Sequence, residues 1–79
     1  MDNRLHIRIF NQDHVAEFVS ALNLWTDKFI LENEDGMYRV NAKSVIGVLY
    51  FSSQHNADTY LVNLTSAGYY PDGVMKFRV

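Results

Sequence analysis

Ser44 stands where an extended segment, Tyr38-Arg39-Val40, passes through Asn41-Ala42-Lys43 into an apolar run, Val45-Ile46-Gly47-Val48-Leu49. A serine hydroxyl at such a joint accepts hydrogen bonds from the first N–H groups of a helix and so caps it. The same orphan donors and the helix dipole favour an anion, so a phosphate on Ser44 would meet a prepared site, with the Lys43 ammonium as an adjacent cation. Three histidines, His6, His14 and His55, carry the remaining proton-transfer chemistry. With Asp13 or Glu17 they are metal-ligand types, but no spacing among them matches a metal site. Serine, histidine and aspartate are all present, yet no glycine-flanked nucleophile turn accompanies them. Cysteine is absent, which removes disulfides and thiolate metal sites alike. The residues therefore predict neither an enzyme nor a cofactor.

The elements that must position these groups follow from periodicity. Leu5-His6-Ile7-Arg8-Ile9-Phe10 alternates apolar and polar side chains, the pattern of a half-buried strand with Leu5, Ile7 and Ile9 toward the core. Asn11 offers a cap, and Val15, Phe18, Val19, Leu22 and Trp25 then recur at helical spacing, predicting an amphipathic helix that ends around residues 23–26. His14 falls in its first turn, where the residues alone predict a solvent-exposed side chain. Strands over 28–32 and 37–40 flank Asn33-Glu34-Asp35-Gly36, whose Asp-Gly pair signals a hairpin. Residues 44–51 form a second helix, apolar all round, and 52–56 a loop. Residues 58–64 form the last strand, with Tyr60, Val62 and Leu64 on one face and Thr59, Leu61 and Asn63 on the other. In the tail, Pro71 suits the first turn of a short helix, whereas Gly73 and the β-prone ending Phe77-Arg78-Val79 oppose one.

The order β-α-β-β-α-β predicts one α+β domain over residues 1–79. It is a four-stranded antiparallel sheet covered on one face by two or three helices, an open-faced β-sandwich. The chain has 79 residues with nine acidic and seven basic side chains, a net charge of −2. That balance argues against nucleic-acid binding, although Phe29, Tyr38 and Tyr60 are aromatic residues on predicted strands. No apolar run approaches the roughly 20 residues needed to span a bilayer and no secretory leader is evident, so the expectation is a cytoplasmic protein without membrane contact. Asn63-Leu64-Thr65 matches a glycosylation sequon, read here as chance.

The stretch Asn41-Ala42-Lys43-Ser44-Val45-Ile46-Gly47 resembles the "N-A-K-S-[IL]-[ML]-G" segment of the HPr family, the small phosphocarriers of the bacterial phosphoenolpyruvate-dependent sugar phosphotransferase system. The likeness is specific from Tyr38 to Phe51, and Phe18-Val19 looks like the family's Phe-Val pair in "G-L-H-A-R-P-A-A-x-F-V". It implies an HPr-like open-faced sandwich with a third helix that is shortened here. It also implies regulatory phosphorylation of Ser44. Beside that serine, Val45, Ile46 and Leu49, with Lys43, would form a surface that docks protein partners of the phosphotransferase or catabolite-control type. Anchored on Phe18-Val19, the family's phosphoacceptor histidine falls at Asn11, its arginine at Asp13 and its proline at His14. A relay histidine works beside a guanidinium that stabilises the transferring phosphoryl group, and Asp13 would repel it instead.

The expectation is thus a regulatory or interaction module of carbohydrate phosphotransfer that is not itself a histidine phosphocarrier. Two alternatives remain: a working carrier that uses His14 through a shortened loop, and a structural domain that associates with a second copy of itself.

Overall fold

The computed structural model describes residues 3–9, 12–54 and 59–79. Strand β1 (Leu5–Ile7) is followed by helix α1 (Gln12–Asn23), strands β2 (Phe29–Asn33) and β3 (Arg39–Asn41), helix α2 (Val45–Gln54) and strand β4 (Thr59–Asn63). A 3-10 helix over Asp72–Phe77 closes the order. The strands form one antiparallel sheet in the order β1-β4-β2-β3. Both α-helices and the 3-10 helix lie on one face, an α+β open-faced sandwich as the periodicity predicts. Phe10, Asn11, His55 and Asp58, to which that reading assigned strand, cap, histidine and strand positions, lie outside the described residues.

One core joins the layers. Val15, Phe18, Val19 and Leu22 of α1 and Val48 and Phe51 of α2 pack on Ile7, Phe29, Leu31 and Leu61 of the sheet. Burying side chains of this size is worth about 1.5–3 kcal/mol each before the cost of ordering them. Leu31 pairs with Leu61 and with Val40, so alternate residues of β2, β3 and β4 share the helix-facing side. His6, Tyr60, Glu32 and Arg39 form a row across the opposite, open side. There Arg4 lies 4.0 Å above the Tyr60 ring and donates to Glu32 at 3.1 Å, while Arg39 approaches the same carboxylate at 3.7 Å.

The hairpin departs from the predicted boundary in an instructive way. Pairing of β3 begins at Arg39 rather than Met37, because the Met37 and Tyr38 N–H groups donate to the side chains of Asp35 and Asn33. Gly36 turns the chain with φ +75°, a value that side-chain-bearing residues rarely adopt. Strand β1 is likewise shorter than its alternation, since beyond Ile7 the chain leaves β4 and pairs with the C-terminal segment. Arg8 N–H donates to the Phe77 carbonyl at 2.8 Å and Val79 N–H to the His6 carbonyl at 3.0 Å, with a bridge between Ile7 and Arg78. The two tendencies of the tail therefore both appear: a 3-10 helix after Pro71, then an extended ending along the edge of β1. Gly73 does not prevent that helix. It lets the helix lie close to α1, where a Cβ on Gly73 would come within 2.8 Å of the Ala21 Cβ.

Candidate functional site

Helix α2 carries exposed apolar side chains near its start, with one exchange against the expected residues. Val48 and Phe51 are fully buried against the sheet, and this anchoring fixes which side of the helix faces water. Ile46 is 80% exposed, Val45 43% and Tyr50 56%, so Ile46 and Tyr50, one turn apart, form the outward stripe. Leu49 is half-buried and packs on the core, so Tyr50 stands exposed where the resemblance implies Leu49. Leu24, also exposed, follows Asn23 at the end of α1. The Asn23 side-chain amide donates to the Lys43 carbonyl, which sets Leu24 at the same end of the helical layer. No residue of α2 is charged.

Ser44 is the cap that its position predicts. Its Oγ accepts from Gly47 N–H at 3.1 Å, its carbonyl accepts from Val48 N–H at 2.9 Å, and its own N–H donates to the Asn41 carbonyl at 3.2 Å. Ahead of it Asn41 Oδ1 accepts from Lys43 N–H at 2.9 Å, so the approach to the helix is held by side chain and backbone together. Lys43 has a further role that the sequence does not reveal. Its ammonium donates to the Trp25 carbonyl at 2.5 Å and lies 5.8 Å from the centre of the Phe29 ring, tying the start of α2 to the α1–β2 connection.

His14 is the third residue of α1 and is half-buried, not solvent-exposed, because the Phe77 ring covers it edge-on at 5.7 Å between centroids. Its electrostatic neighbour is the Glu17 carboxylate, which is hydrogen-bonded to Lys76. That bond, with the charges of Lys76 and His14, holds Glu17 below its usual carboxylate range. The surroundings of His14 thus include a carboxylate and an aromatic edge. Asn23 lies nine positions after His14, about 14 Å along a helix, and Ser44 adjoins the Asn23 end. The fold does not bring His14 and Ser44 together.

The other sequence candidates are dispersed. His6 lies on the open side of the sheet, stacked on Tyr60 at 4.7 Å, whereas His14 belongs to the helical side. Among the described residues no group of three side chains is placed to hold a metal ion. Phe29 is buried in the core and Tyr38 packs on Phe51, so of the three aromatics Tyr60 alone belongs to the open side. Tyr38 also stacks on Tyr50 at 6.5 Å. Partial desolvation, then a hydrogen bond with Tyr50, raises the Tyr38 phenol above its ordinary value.

One residue taken as incidental proves to organise the chain after β4. Asn63 is 3% exposed and its side chain is fully engaged. Its Oδ1 accepts from the N–H groups of Thr65 and Ser66, and its Nδ2 donates to Asp27 Oδ2 at 2.9 Å and the Tyr69 carbonyl at 2.8 Å. The apparent sequon exists because this turn needs a carboxamide, and the amide is not accessible to modification. No helix among the described residues is long and apolar enough to cross a membrane. Compared with family models, curated proteins and solved structures, the chain matches none of them.

Proposed function

We propose that this chain is an HPr-like interaction module, cytoplasmic and tied to bacterial carbohydrate phosphotransfer or catabolite control. It docks a protein partner through the start of α2 and does not carry phosphate on histidine. The observation that carries the reading is the exposure of Ile46, Val45 and Tyr50 on a helix without a single charge, directly after the capping serine of an Asn-Ala-Lys-Ser segment. Burying three such side chains in a partner returns about 25 cal/mol per Å² of apolar surface, the gain that a docking helix offers. Ser44 is the regulatory position in this scheme. A phosphate there adds negative charge at the rim of an apolar patch and so changes which partner the patch accepts.

Three features support the negative half of the proposal. Asp13 occupies the position of the family's arginine, His14 is packed on Phe77, and the Glu17 carboxylate acts on it electrostatically. A transferring phosphoryl group needs cationic or N–H stabilisation; Asp13 opposes it, and the Lys76 ammonium is taken up by Glu17. Incubation with enzyme I and phosphoenolpyruvate, read by intact mass, should show no phosphoryl gain. An acid-labile gain that disappears in His14→Ala would establish the carrier reading instead. A second copy of the chain is the other candidate for the patch, since an uncharged surface can meet itself without repulsion. Sedimentation velocity across a concentration series separates the two: a concentration-independent monomer leaves the patch free for another protein.

A further inference from the structure

A cleft of about 460 Å³ opens at the end of the sheet where β2 begins and β3 ends, and no residue of α2 lines it. Its volume lies within the range of about 300–1,000 Å³ usual for small-molecule sites. Ile30, Val40 and Leu64 give it apolar walls, and Lys28, Arg39 and Lys43 line it with positive charge. Those are three of the seven basic residues in a chain of net charge −2, so the cleft is a cationic spot on an acidic protein.

Among the described residues Lys28 and Lys43 are paired with no carboxylate, and Arg39 approaches one, Glu32, at 3.7 Å. Lys43 is held by a neutral group, the Trp25 carbonyl. Arg39 shares the Glu32 carboxylate with Arg4. Among the described lining residues Asp27 supplies the one carboxylate, and its Oδ2 is occupied by the Asn63 amide. Lys28 is exposed and is anchored through its backbone, its N–H donating to Thr65 Oγ1 and its carbonyl accepting from Leu64 N–H. Its ammonium can therefore swing over the cleft while the backbone stays fixed. Apolar walls beside cations strengthen the attraction for a negative group, because less water screens it there.

From this arrangement we infer that the cleft binds a small organic anion, its acidic headgroup against Lys28, Arg39 and Lys43 and its apolar body along Ile30, Val40 and Leu64. This site meets the proposed docking surface at Lys43 alone and does not depend on its outward stripe, Ile46 and Tyr50. The probe is anilinonaphthalene sulfonate, an apolar body with one acidic group, compared with its uncharged parent phenylnaphthylamine. Binding is read by fluorescence and by amide shifts in heteronuclear spectra. The sulfonate should shift residues 28–30 and 39–41 and bind about tenfold more tightly than the parent. Lys28→Gln, at an exposed side chain, should weaken sulfonate binding about threefold to tenfold, and Arg39→Gln should do the same independently. Ile46→Glu should leave it unchanged. Equal affinity for the two probes, no loss in either cation variant, no binding at all, or shifts centred on residues 45–50 would each overturn the inference.

Discussion

Replacing Ser44 by alanine isolates the one interaction that separates a capping serine from a spectator. The backbone bonds at this position survive the change, because the Ser44 carbonyl still accepts from Val48 N–H and its N–H still donates to Asn41. What is lost is the Oγ acceptor of Gly47 N–H at 3.1 Å. Loss of such a cap costs about 1 kcal/mol. In a domain of this size that lowers the melting temperature by about 4–8 °C. Ser44→Asp keeps an acceptor in place and adds a negative charge to a helix whose first turn holds no acid, a gain of about 0.3–1 kcal/mol. It should therefore melt within about 2 °C of the parent chain, well above the alanine variant. Thermal and urea unfolding of the three proteins, followed by circular dichroism, measure this directly. If alanine and aspartate variants melt together at the parent temperature, Ser44 caps nothing and the reasoning about α2 fails.

Asn63→Asp, a change of one group, removes two donors and sets a carboxylate against Asp27 and the Tyr69 carbonyl. With about 0.5–1.5 kcal/mol for a neutral hydrogen bond and about 1.5–3 for a charged one, urea titration should show a loss of about 3 kcal/mol. Gly73→Ala should destabilise by about 1–3 kcal/mol because its Cβ meets Ala21, and a double-mutant cycle with Ala21→Gly should show favourable coupling. For Glu17, the Lys76 bond lowers the folded-state pKa. The contribution of this pair is thus complete above the ordinary carboxylate range and fades as pH falls through the lowered value. Melting curves of the parent chain and Lys76→Ala should differ at neutral pH and converge in acid.

The parts of this fold that were legible in the sequence rest on local patterns. Alternation marks β1 and β4, helical spacing marks α1, and Asp35-Gly36 marks the hairpin, because neighbours along the chain determine each of them. Ser44 was legible for the same reason, since a cap is satisfied within its own helix. Where contact with a distant segment decides, the sequence was silent. The outward face of α2 could not be read from a helix apolar all round. Val48 and Phe51 choose it by meeting the sheet, which turns Tyr50 to solvent and half-buries Leu49. His14 is covered by Phe77, 63 residues along the chain. Asn63 acquires its meaning from Asp27 and Tyr69, and Gly73 from Ala21, partners that no local window contains.

The proposal as a whole turns on whether the α2 stripe is a surface that meets partners. Ile46→Glu places a charge at its most exposed apolar position, where the folded chain already leaves 80% of the side chain in water. The decisive measurement pairs the melting temperature of this variant with its binding to purified enzyme I, read as amide shifts on the labelled chain. An interaction module predicts that the parent chain binds with shifts concentrated on residues 43–50, and that the variant melts within about 2 °C of the parent yet loses binding by more than tenfold. Unfolding of the variant, or binding that it leaves untouched, would contradict the account.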